Sequence, residues 1–182
     1  LHSISSLFGR YKMEVYRIEN NERHGGCSRY FICRKGKKKI DQTVVDYMHV
    51  EKTLKLNEIK TFLNFKKNII NSKKILRDLL FNFKKNGKKI VGYGAPAKST
   101  TILNYCDIDS SLIEKIFDNS STKIGKYTPG KSVIPIEHTD NFISYRSDYT
   151  LLFAWNHKDE ILKKEKNYKN KWIIPIPKIE II

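Results

Sequence analysis

The apolar positions of this chain change their period along its length, and the changes divide it. Residues 3–10, SISSLFGR, read as the last turns of a helix closed by Gly9. MEVYRIE (13–19) and SRYFICRK (28–35) alternate apolar and polar residues, as half-buried strands do. NNERHGG joins them, so the pair reads as a β-hairpin, and KGKKK at 35–39 as a solvated turn. Over 44–85 the period becomes helical. Leu56, Ile59, Leu63, Ile69, Ile70, Leu76, Leu79, Leu80 and Phe83 recur at three- and four-residue steps among lysines, and Gly87 supplies the stop. A basic amphipathic helix can lie on a membrane, but a helix covering one face of a sheet is the reading adopted.

After Gly87 short apolar runs alternate with helical stretches. KIVGYG, IEKIFDN, SVIPI and YTLLFAW read as strands, AKSTTILNYC and KDEILKKEKNY as helices, and WIIPIP and KIEII close the chain. Alternating strands and helices with short links predict an α/β fold. The expectation is a Rossmann-like parallel sheet with helices on both faces, preceded by the β-hairpin and a long helical region.

Composition adds a net charge of +16, which suggests a polyanion partner until the kind of charge is considered. Lys outnumbers Arg 28 to 7, the lysines are spread along the chain, and Ile (24) and Asn (14) are inflated as well. Groove readers rely on arginine forks. The pattern therefore describes a solvated surface and argues against nucleic acid. Cys27, Cys33 and Cys106 show no CxxC spacing, so neither a disulfide framework nor a metal site is expected. With no apolar stretch of spanning length and no cleavable signal, a reduced, cytoplasmic protein without a membrane partner is expected. The first residue is Leu1, and the chain is read as a fragment whose N-terminal part is missing.

The stretch IVGYGAPAKSTT carries the candidate chemistry. Gly92, Gly94 and Ala97 fit G-x-G-x-x-G/A between an expected strand and an expected helix. The glycines permit a tight turn and a close approach, with Ala95 between them and the helix start, and that start favours an anion. Lys98 and Ser99 add a charge and a hydroxyl in the first turn. Asp118 ends the next strand, where a ribose-binding acid is expected. A dinucleotide, another nucleotide and a bare packing turn all remain open on this motif. Asn119, Lys123 and Gly130 in FDNSSTKIGKYTPG, and Asn156 after Trp155 in LLFAWNHKDEI, fall at the same carboxyl edge of the expected sheet. On the hairpin, His24 beside Gly25 and Gly26, and Arg29 beyond them, are candidates for ligand contact.

HGGCSR, GYGAPAKSTTILNYC, DNSSTKIGKYTPG followed by IPI, and LLFAWNHKDEI occur in the right order over most of the chain. Together they resemble the C-terminal region of the S-adenosylmethionine-dependent C-methyltransferases that act on nucleotide-linked deoxysugars. The resemblance implies that residues 1–42 end a preceding methyltransferase domain and linker, and that 43–182 form the helical region and the nucleotide-sugar-binding domain. It implies a nucleotide-linked deoxysugar and the protein's own N-terminal methyltransferase domain as partners, with S-adenosylmethionine bound in that missing part and no cofactor here. The family's base dyad falls upstream of Leu1, so no catalytic residue is expected in this chain beyond the candidate His24, and the fragment alone is expected to be inactive. Cys27 stands where the family carries serine. The competing readings are an NAD-dependent small oxidoreductase and a basic Rossmann-like nucleic-acid-binding module.

Overall fold

The computed structural model describes residues 1–22 and 26–182, and the chain falls into two units, Leu1–Asn68 and Ile69–Ile182. In the first, a short helix α1 (His2–Gly9) precedes strands β1 (Met13–Asn21) and β2 (Cys27–Arg34), which pair antiparallel. Their register slips between Val15 and Arg17. This bulge explains why the buried residues of β1, Val15 and Ile18, are three apart: one extra residue returns Ile18 to the face of Val15. Simple alternation did not anticipate it. The extra residue, Tyr16, accepts at its carbonyl the N–H of Asp41 at 2.8 Å. Asp41 in turn caps helix α2 (Gln42–Thr53), its carboxylate accepting the N–H and hydroxyl of Thr43 at 2.9 and 2.8 Å. Those bonds hold its pKa below the usual carboxylate range. Leu1, Val15, Ile18 and Val44 form the small core of this unit, with Ile4, Tyr30, Ile32 and Tyr47 against it.

The helical pattern of 44–85 resolves into two helices, α2 and α3 (Ile59–Lys85), with Lys55 at a positive φ of 53° in the break. Periodicity located the helices but overstated the buried stripe. Leu56, Ile59, Leu63 and Ile70 are exposed, and in α3 burial is confined to Leu76 and Leu80, with Leu79 and Phe83 packed on the same cluster.

The second unit holds a six-stranded sheet. It is built from β3 (Ile90–Tyr93), β4 (Ile116–Asp118), β5 (Ile136–His138), β6 (Tyr149–Leu152), β7 (Lys171–Ile174) and β8 (Glu180–Ile181), in the order β5-β4-β3-β6-β7-β8. All neighbours are parallel except β8, which runs antiparallel to β7. Helices α4 (Ala97–Tyr105) and α5 (Lys158–Lys164) supply crossovers. Successive strand residues face opposite layers. Ile90, Ile116, Leu151 and Ile173 meet Leu76 and Leu80 of α3 and Ile102 and Leu103 of α4. Val91, Phe117, Leu152 and Trp172 meet Phe142, with Ile161 and Leu162 of α5 against that cluster. Both faces of the sheet are covered, as its continuous apolar strands require. The expected α/β sheet with helices on both faces is the fold observed. No helix among the described residues is long and apolar enough to cross a membrane.

Polar ties fix the entry edge of the sheet. The Asp148 carboxylate accepts the Lys89 N–H at 2.8 Å and the Lys88 ammonium at 3.2 Å, joining the start of β6 to the start of β3. The Tyr145 hydroxyl donates to Glu114 at 2.6 Å. Burial and then that bond push the Tyr145 pKa up to about 12. For Asp148 the backbone bond to Lys89 leads in lowering the carboxyl pKa. A carboxyl depressed in the fold contributes stability above its unfolded pKa of about 3.9, and loses it as pH falls through the folded value. Asp148→Ala should therefore cost at most about 1 kcal/mol at pH 7, since the side chain is 37% exposed. Urea denaturation should show the variant and the parent converging below about pH 3.

Candidate functional site at the carboxyl edge of the sheet

The chain leaves β3 towards β4 and leaves β6 towards β7, so the two central strands diverge at their carboxyl ends. Such a switch point opens a crevice in doubly wound sheets. Tyr93 lies opposite Leu152, and the Phe153 N–H donates to the Tyr93 carbonyl at 3.0 Å. The turn that opens α4 and the 3-10 turn Trp155–His157 therefore rise side by side.

Gly92 lies inside β3, where a Cβ would sit 2.7 Å from the Phe153 ring and 2.8 Å from Ile116. Gly94 follows with φ 80°, and a Cβ there would lie 2.9 Å from that of Ala154. Packing alone thus demands both glycines, whatever approaches from outside. Ala95 is buried, and its N–H donates to Oδ2 of Asp118 at 2.6 Å. The other Asp118 oxygen accepts the Ser120 N–H at 2.8 Å, and the Lys123 ammonium stands 3.6 Å from Oδ2. Asp118 is buried, so these bonds make it a brace between the ends of β3 and β4.

Pro96 precedes α4 and gives it no side-chain cap. Ser99 closes the turn, its N–H and hydroxyl both donating to the Pro96 carbonyl at 2.9 and 2.7 Å. The amides of Ala97 and Lys98, at the first helical positions, have no intrahelical acceptor. The Lys98 ammonium lies 5.3 Å from the centre of the Trp155 ring. On the face of β3 opposite Gly92, the Tyr93 hydroxyl donates to Glu165 at 2.6 Å, with the Lys164 ammonium 3.4 Å away. Burial and then Glu165 raise the Tyr93 pKa, so the hydroxyl keeps its proton.

Gly92, Gly94, Ala95, Lys98, Ser99, Asp118, Asn119, Lys123 and Asn156 thus fall on the carboxyl ends of adjacent strands or the turns after them. Gly130 does not. Its φ is 85° and a Cβ there would run into the Asn104 amide, in the last turn of α4. Asn104 lies six residues beyond Lys98, roughly 9 Å along the helix. Sequence reasoning missed Asn104, which bonds the carbonyls of Thr100 and Pro129 and the N–H of Lys131. It stands within GYGAPAKSTTILNYC, a polar residue among the apolar positions late in α4, and that was its signal. Gly26 and Arg29 belong to the hairpin of the first unit, where Arg29 stands 3.7 Å from Glu19. His24 and Gly25 lie outside the described residues.

The sequence profile of the C-methyltransferase C-terminal domain family matches residues 22–177, most of the chain. The chain belongs to this family. C-methyltransferase NovU of Streptomyces niveus is similar to it, 28% identical over 186 residues, an alignment covering 100% of this chain and 44% of that protein. The domain spans less than half the length of that relative. Its family match takes in β2, α2, α3, the glycine turn and the β6 edge together.

The glycine of the central strand offers a direct check on this geometry. Gly92→Ala should lower unfolding free energy by about 1–3 kcal/mol, the cost of overpacking a filled core. In a Phe153→Ala background the same change should cost less, because the ring that it meets is gone. Denaturant titration of the four chains measures the difference.

Proposed function

We propose that this domain is the nucleotide-sugar-binding part of a sugar C-methyltransferase. The whole protein would transfer a methyl group from S-adenosylmethionine to the carbon next to the ketone of a keto-deoxysugar nucleotide. Family membership supports the methyltransferase setting, and one observation carries the ligand reading. At the switch point Lys98 stands in the first turn of α4, paired with no acid among the described residues but resting on an indole, while the strand-end acid Asp118 is already engaged. A pyrophosphate carries about two negative charges and a helix start supplies roughly half a positive one. Lys98 fills that deficit, and Lys123 offsets Asp118.

The family match weighs against the oxidoreductase. Dinucleotide folds hold ribose hydroxyls with a carboxylate at the end of the second strand. Here both oxygens of that carboxylate already accept a backbone N–H and each keeps a further lone pair, so the acid by itself does not choose between NAD and a nucleotide-linked sugar, and the family match favours the latter. The cofactor S-adenosylmethionine is assigned to the remainder of the protein. Residues 1–42 would end that preceding methyltransferase domain. The nucleic-acid reading finds little support in lysines already paired with carboxylates, such as Lys73 with Asp107 and Lys84 with Glu114.

In this reading the domain's own residues bind and orient rather than react. The Ala97 and Lys98 amides and the Lys98 ammonium hold the diphosphate, and Asp118 keeps the turn open by bracing Ala95. Calorimetric titration with dTDP or UDP tests it, with NAD as control. Lys98→Ala should weaken nucleoside diphosphate binding by about 1.5–3 kcal/mol, the scale of a charge-assisted hydrogen bond. Unchanged affinity would return the turn to a packing role, and tight binding of NAD by the parent would promote the oxidoreductase.

A further inference from the structure

Lys98 and Lys123 share the carboxyl edge but are held differently. Lys123 stands 3.6 Å from the Asp118 carboxylate, whereas Lys98 lies over the Trp155 ring at 5.3 Å. A cation over an indole is attracted by the electron-rich face, but only weakly where water reaches it. Trp155 is half-buried, anchored against both apolar clusters of the sheet. The contact between them is therefore the easier one to exchange. A phosphate oxygen competes for the ammonium through a shorter, charge-assisted bond. When the ammonium leaves, it uncovers the face of an aromatic ring. Such a face binds a planar base by stacking, with little regard to which base it is. On the other side of the turn the Asp118 oxygens accept the Ala95 and Ser120 N–H groups and brace the backbone. The β6 side presents an aromatic face as a recognition surface for the nucleoside.

We infer that Trp155 is the stacking surface for the base of the bound nucleoside diphosphate, uncovered as Lys98 moves from the indole to the diphosphate. The inference rests on the nucleotide-sugar reading and adds to it an orientation: nucleoside towards β6 and α5, sugar towards the other side of the turn.

Calorimetry on the full 182-residue chain, with UDP and inorganic pyrophosphate as separate ligands, tests it. Trp155→Leu should lose roughly 5- to 150-fold in UDP affinity, the range for one stacked base, and leave pyrophosphate within about twofold. Trp155→Phe should keep most of the UDP affinity. Tryptophan emission of the parent gives a reading that needs no variant to fold. Trp172 is buried among Tyr93, Phe142 and Tyr168, so quenching by UDP but not by pyrophosphate would report on Trp155. Equal losses for both ligands in Trp155→Leu would mean that the ring only positions Lys98. Unchanged UDP affinity, or emission unmoved by saturating UDP, would also overturn the inference, while leaving the diphosphate reading standing. A parent chain that binds neither ligand would sink the nucleotide-sugar reading itself, and this inference with it.

Discussion

The carboxyl edge depends on one missing side chain. At Gly92 the Phe153 ring and Ile116 fill the space in which a Cβ would stand, so the residues after β6 lie directly against β3. A methyl group there would have to move a buried ring or a buried neighbouring strand, and close-packed interiors resist both. The same approach sets the distance between the turn after β3 and the turn after β6. Ala154 comes up against Gly94, and Trp155 comes within reach of Lys98. Packing in the centre of the sheet thus decides which polar groups meet at its rim.

A second constraint is the fate of Asp118. A buried carboxylate must find donors or neutralise. This one accepts two backbone N–H groups and has a lysine nearby, so its charge is spent on holding the turn after β3 against the end of β4. The consequence is chemical. The Asp118 oxygens are drawn into the turn, whereas the Lys98 ammonium at the same edge lies over the Trp155 ring. The net charge of +16 says nothing of this, because most of the lysines are surface residues with local carboxylate neighbours or none.

Much of the architecture was legible in the residues themselves. Alternation at 13–19 and 28–35, helical period within 59–85, and the strand–turn–helix of IVGYGAPAKSTT are local properties, because side-chain direction repeats every two or 3.6 residues in these elements. The order of elements after Gly87 was enough for a parallel sheet, since consecutive parallel strands need crossovers and the sequence supplies them. The four motifs in their order pointed to the family.

What only the tertiary structure decided is which groups meet across sequence separation. Period says which face of a helix is apolar, not where its cover begins, and so Leu76 is buried while Ile59 and Leu63 are not. The one-residue bulge at Tyr16 is set by a bond to Asp41, far outside any strand pattern. Asp118 is 23 residues from the Ala95 amide that it accepts, and Gly130 is tied to an asparagine far from it in the chain. In each case a hydrogen bond or a filled volume links distant positions, and periodicity carries no record of such a partner. The sequence by itself determined that a glycine turn follows the first strand of a parallel sheet. That the turn keeps Lys98 on an indole and Asp118 under its own amides is a decision of the folded chain.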